Sequence, residues 1–241
     1  HERDYFGVAS AAALEERAEH DRASEVHLYY AWCATLVANG LAAATRSVYP
    51  KRIDDLVASG QLRLFFEQSP AAFLGSAPAT KFSWLAGGTA LATATLFVIL
   101  GRTHRWRHRF GMLLACQILS AAACYALAET RSLAVMMVCF VVLGANLGIA
   151  FFSSAYYSLA NPDHKHRRAS INEGAVGVGS LIGSVGFGYL AGHYGLAFPF
   201  HAAPLFIMAG LLVQLLLFRY GRAKRQRPAV APVNLDTTIS S

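Results

Sequence analysis

The chain has 241 residues, 55% of them hydrophobic and 15% charged, against roughly 25% charge in ordinary soluble domains. So little charge excludes a single water-facing globule. The net charge of +7 does not point to nucleic acid, because its basic groups lie between apolar blocks and at the tail, as they do in membrane proteins. The four cysteines, Cys33, Cys116, Cys124 and Cys139, all lie inside apolar blocks without metal-ligand spacing, and read as small buried hydrophobes. The expected fold class is therefore an all-α membrane protein, with the lipid bilayer as its first partner, no nucleic acid, no metal and no cofactor.

The chain opens on His1, and its first residues lack the basic region, apolar core and cleavage site of a signal peptide. They are expected to begin a fragment or processed piece of a longer protein. Residues 1–26 hold seven acids, three arginines and a run of alanines, which suits either a helical cytoplasmic lead-in or a solvated linker.

A helix needs about 20 apolar residues to cross a bilayer core, because every backbone polar group must be satisfied within it. Six stretches qualify, running approximately from His27 to Tyr49, Phe82 to Leu100, Phe110 to Ala128, Leu133 to Ala160, Ile171 to His193 and Pro204 to Phe218. The last is long enough only if Ala202 or the stretch from Phe198 to Phe200 joins it. Pro50, Pro162 and Pro204 are expected at span ends, where a missing amide donor does least harm. The bundle thus covers residues 27–220, with a long loop over 51–81. Within that loop RIDDLVASGQLRLFF has an amphipathic pattern suited to the membrane interface. Residues 221–241 form a basic, then disordered, tail.

Six spans put both chain ends on one side. Arg102, Arg105, Arg107, Arg109, Lys165, Arg167, Arg168, Arg219, Arg222, Lys224, Arg225 and Arg227 fall on that side, twelve in all, against five on the other: Lys51, Arg52, Arg63, Lys81 and Arg131. The excess places the chain ends in the cytoplasm, and the protein in the cytoplasmic membrane.

The first span aligns Trp32, Thr35, Asn39 and Arg46 on one helical face. A polar stripe should not face lipid. Asn39 lies near mid-depth, and Arg46, about 10 Å further along, either contacts a solute at the outer mouth or snorkels to water. The fourth span aligns Asn146, Ser153 and Tyr157 beside the GxxxG of Gly144 and Gly148. This face is either a second wall of a polar cavity or a set of packing hydrogen bonds. The third and sixth spans are the most uniformly apolar, with Gln117 and Gln214 as their strong polar interruptions, and are expected outside, facing lipid.

The fifth span carries glycines at 174, 177, 179, 183, 186, 188 and 192. Gly179 and Gly183 form one small-residue row, and Ser180, Ser184, Gly188 and Gly192 a second. Small residues let helices approach closely where lipid supplies no hydrophobic drive, so this span is expected to pack on two neighbours, either sliding or static. Glu173 at its start either latches onto Arg167 or Arg168 or answers the helix dipole. His164 and His166 nearby read as part of a solvated basic loop.

Together these features resemble the C-terminal six-helix half of a major facilitator superfamily transporter, over about residues 27–220. The resemblance rests on the six-span layout, the basic GRTHRWRHRF between the second and third spans, the stretch RRASINEGAVGVGSLIGSVGFGYLAG and the SVYPK that ends the first span. It implies a secondary transporter working by alternating access, with a small-molecule substrate and an N-terminal six-helix half as partner. Its first and fourth helices would line the path, its second and fifth would gate, and its third and sixth would support. Asn39, Arg46, Asn146, Ser153 and Tyr157 are then the substrate-binding candidates, and Arg102, Arg105, Glu173, Gly179 and Gly183 the gating and packing ones. The basic loop departs from the family pattern in lacking its frequent acid. No carboxylate lies deep in a span, so a proton-coupling residue is not assigned.

Two other classes compete. A membrane-embedded enzyme needs clustered nucleophiles or metal ligands, and the chain has no HExxH, no G-x-S-x-G and no deep pair of carboxylates. A scaffold or sensor without transport is the stronger rival, and the residues upstream would decide it.

Overall fold

The structure, a computed structural model, describes residues 11–63, 78–103, 106, 109–159 and 165–225, with side chains between 27 and 220. Almost all of it is helix: α1 (Ala11–Ala58), α2 (Pro78–Arg102), α3 (Phe110–Glu129), α4 (Leu133–Leu159), α5 (Lys165–Leu181), α6 (Phe187–Tyr194) and α7 (Phe198–Arg225). A single π turn, Ile182–Gly186, joins α5 to α6 without a break.

Among the described residues, five stretches are long and apolar enough to cross a membrane: Ala79–Arg102, Phe110–Glu129, Leu133–Leu159, Lys165–Tyr194 and Phe198–Tyr220. The expected first span is not among them, although α1 is the longest helix at 48 residues. Its position supplies the reason. α1 packs against α2, α4, α5, α6 and α7, so Thr35, Asn39 and Thr45 are buried against protein. A helix sheathed by others need not be apolar on every face. Lipid-compatible side chains appear instead on the outside, where Leu91, Val138, Leu205 and Leu216 are exposed.

Helix ends differ from the sequence expectation in one consistent way, since most helices run beyond the apolar stretch. α1 continues through Pro50 to Ala58, so the start of the expected outer loop is helical, with Arg52, Ile53 and Leu56 buried and Asp54 and Asp55 exposed. α7 starts at Phe198 and contains Pro204. Pro50 and Pro204 thus sit inside helices rather than at their ends, each leaving one carbonyl a turn earlier without its helical donor. Pro162 lies outside the described residues. Past α1, Arg63 pairs with the start of α4: its N–H donates to Arg131 O at 2.8 Å, and Leu133 N–H donates to Arg63 O at 2.9 Å.

Two apolar clusters fill the bundle. One gathers on Tyr49, whose ring meets Phe140 and Phe200 edge-on at 5.1 and 5.2 Å, together with Leu127, Met136 and Ile207. The other gathers on Trp106, edge-on to Phe152 and Tyr156 at 5.4 and 5.2 Å, with Leu28, Tyr30 and Tyr157. Trp106 also donates to Leu100 O at 2.8 Å, tying the loop after α2 to the end of that helix. Cys124 and Cys139 are buried as expected, while Cys33 and Cys116 are half-buried.

Candidate functional site

Polar groups on α1 and α4 face each other across the centre of the bundle, and most are satisfied there. Thr35 Oγ1 donates to Ala150 O at 3.0 Å, crossing from α1 to α4. One turn on, the Asn39 amide donates back to Thr35 O at 2.9 Å. One turn earlier, Trp32 Nε1 donates to Ser158 Oγ at 3.0 Å. Two members of the stripe read from the sequence, Trp32 and Thr35, therefore bond across to α4, while Asn39 and Arg46 bond within α1. Thr35 thus meets a neighbour's backbone, Trp32 a neighbour's hydroxyl and Asn39 the backbone of its own helix, so none of the three is desolvated without a partner.

The five substrate-binding candidates do not share one open cavity. Asn39 is buried, and its amide bonds within α1. Asn146 is 1% exposed, and its Oδ1 has no hydrogen-bond partner. Ser153 and Tyr157 line a cavity of about 10 Å³ with Tyr30, Trp106 and Leu113, space for about one water. Arg46 stands apart from these four. It is exposed, its Nε donates to Ala42 O at 3.2 Å, and it borders a groove of about 420 Å³ between α1, α2 and α4.

That groove also holds residues the sequence reading passed over. Thr45, Thr89, Thr93, Phe82 and Phe97 line it. Thr89 Oγ1 donates to Phe140 O at 3.1 Å and Thr93 Oγ1 to Gly144 O at 2.9 Å, so two threonines one turn apart fasten α2 to α4. The close approach depends on glycine: a Cβ at Gly148 would lie 3.2 Å from Thr93 O, and one at Gly144 would collide with the Thr89 backbone. Repeated Thr at four-residue spacing opposite a GxxxG was the available signal.

The gating candidates divide in the same way. Gly179 and Gly183 press on α1, where an added Cβ would collide with the carbonyls of Leu36 and Gly40. The second small row has no such neighbour. Ser184 is exposed and bonds within its own helix to Ser180 O at 2.7 Å, and a Cβ at Gly188 or Gly192 would meet nothing within 4 Å. The close glycine contacts are thus made with α1, while the fifth span also touches α4 and α7. Arg102 is exposed at the end of α2 and Glu173 is exposed on α5; among the described residues no ion pair joins Glu173 to Arg167 or Arg168. Arg105 and His164 lie outside the described residues, and His166 is exposed within α5 rather than in a loop.

α2 is flanked on its other side by a wider apolar groove of about 970 Å³, lined by Trp84, Gly88, Leu91, Leu96, Met137 and Val141. Burial is correspondingly uneven. Only 11% of the apolar stretch of α2 and 17% of that in the fifth span are buried, against 56% in α4.

No curated protein and no solved structure matched the chain. The family model of the Major Facilitator Superfamily matches residues 31–238, from the polar face of α1 past the end of α7. With its all-helical bundle and five apolar spans, the chain is a multi-pass membrane protein that belongs to the Major Facilitator Superfamily, a family of transporters.

Proposed function

We propose that the chain forms one six-helix half, the C-terminal one, of a secondary transporter that carries a small solute across the cytoplasmic membrane by alternating access. The uneven burial is the observation that carries this reading. α2 and the fifth span leave most of their apolar surface uncovered, and a second bundle rocking against this one would cover it while enclosing a site at mid-membrane. α1 is the sixth span, polar because its neighbours shield it. The basic ends of α2 and α7 and the start of α5 face the cytoplasm.

Arg46 is the substrate contact this reading favours, because it combines exposure with a groove walled by Thr45, Thr89 and Thr93. A guanidinium there suits a solute bearing a carboxylate or phosphate. Asn39, Asn146, Ser153 and Tyr157 act behind it, on helices that repack between states.

The test is counterflow of labelled organic anions, sugars and amphiphilic cations in proteoliposomes, with this chain supplied alone and joined to its upstream residues. Transport that needs a further six spans upstream is the expected result. An upstream sequence without spans, or a joined protein inactive across the panel, would remove the reading.

A further inference from the structure

The outer end of the bundle carries a polar pocket that plays no part in the proposed path. Its volume is about 440 Å³, and Gly60, Gln61, Arg63, Glu129, Arg131 and Ser132, with Thr130, line it. The strand-like pairing of Arg63 with the residues before α4 builds it, so its two arginines are held by backbone hydrogen bonds and their side chains are left exposed. Gly60, at φ 66°, turns the chain out of α1, and the N–H groups of Gln61 and Leu62 both donate to Leu56 O, at 3.0 and 3.1 Å. Ser132 N–H donates to Thr130 Oγ1 at 3.1 Å.

The charges in and behind this pocket are unbalanced toward the positive. Arg63 and Arg131 line it, and the one acid among its described lining residues, Glu129, is engaged through Oε1 by His201 Nε2 at 2.6 Å. A third arginine stands immediately behind. Arg52 is buried, its guanidinium donates to Ala128 O in the last turn of α3, and its Nε has no partner. Two guanidinium forks, an amide and two hydroxyls around one cavity match the acceptor-rich oxygens of a phosphate. The pocket joins the ends of two membrane spans, the depth at which phospholipid headgroups lie.

We propose that this pocket binds a phosphate-bearing anion, either the headgroup of a phospholipid or a free phosphate ester, through Arg63 and Arg131.

The protein in neutral detergent is titrated with a short-chain phosphatidylglycerol, with inorganic phosphate and with a short-chain diacylglycerol, and its melting temperature is followed. The expected result is a saturable rise with the phospholipid, none with diacylglycerol, and a midpoint at least about tenfold weaker in Arg63→Gln/Arg131→Gln, the worth of one lost charge-assisted hydrogen bond. Lys51→Gln, on the exposed end of α1, keeps the native response. A matching rise with inorganic phosphate identifies a free anion as sufficient; a rise with phospholipid alone identifies the headgroup. Should the double variant not fold, Arg131→Gln alone must show the weakening. No phosphate-dependent rise, or a rise that survives the arginine substitutions, overturns the proposal.

Discussion

Gln117 on α3 and Gln214 on α7 bond to each other twice: Gln117 Nε2 donates to Gln214 Oε1 at 3.1 Å, and Gln214 Nε2 donates to Gln117 Oε1 at 3.0 Å. Both side chains are fully buried. Each amide spends one donor and one acceptor on the other, so two polar side chains sit in an apolar bundle with their main needs met together.

Removing one of them strands the other. Gln117→Leu is expected to destabilise the protein by about 1–3 kcal/mol, the penalty of a buried amide without its partner. Gln117→Leu/Gln214→Leu is expected to recover most of that loss, because an apolar pair of similar size leaves nothing unsatisfied. Melting in detergent, read as a double-mutant cycle, checks this. Additive losses would mean that the two amides do not depend on each other.

The glycines of the fifth span give a prediction with a built-in control. Gly183→Ala would push a methyl into the Gly40 carbonyl and to within 2.9 Å of Ala43 Cβ. A loss of about 1–3 kcal/mol is expected, as for overpacking elsewhere. Gly186→Ala, three residues on, meets nothing within 4 Å, and the helix should gain up to about 1 kcal/mol from the better helix former. Comparable melting temperatures for the two variants would show that the fifth span does not lean on α1 through this row.

These two cases also mark what could be read before the fold was known. The positions of the apolar stretches, the GxxxG rows and the two glutamines are all visible in the sequence, because helix periodicity and lipid exclude most alternatives. What Gln117 and Gln214 do was not visible. Both helices look uniformly apolar, so each amide read as an interruption, and its partner lay 97 residues away. The polar stripe from Trp32 to Arg46 was legible as a face, but a face turned toward a helix and a face turned toward a cavity have the same spacing. Only the neighbours distinguish them, and they leave Asn39 buried and Arg46 on a groove. Pro50 and Pro204 misled for a related reason, since helices that extend past the hydrocarbon core carry prolines inside them.

Orientation can be tested by single cysteines in a cysteine-free background. Arg131 and Arg102 are both exposed at opposite ends of spans. With the basic ends inside, Arg131→Cys should react with a membrane-impermeant maleimide in intact cells, and Arg102→Cys only after permeabilisation. The reverse pattern would invert the topology.

Asn146 separates binding from packing. Its Oδ1 is buried without a partner, so Asn146→Leu, of the same branched shape, removes a desolvated acceptor. The variant is expected to fold with a melting temperature no lower than that of the parent. Transport, once a substrate of the joined protein is in hand, then decides its role. A fall of about tenfold or more in transport by a protein of undiminished stability would mean that the amide meets solute in another state of the cycle, since about 1.4 kcal/mol of lost interaction is a factor of ten. Arg46→Ala provides the reference. Its side chain is exposed and bonds only within its own helix, so stability should change by less than about 0.5 kcal/mol while anion transport falls. If Asn146→Leu instead unfolds the protein, the amide already holds the α4 face together in the parent, and its role is packing rather than binding.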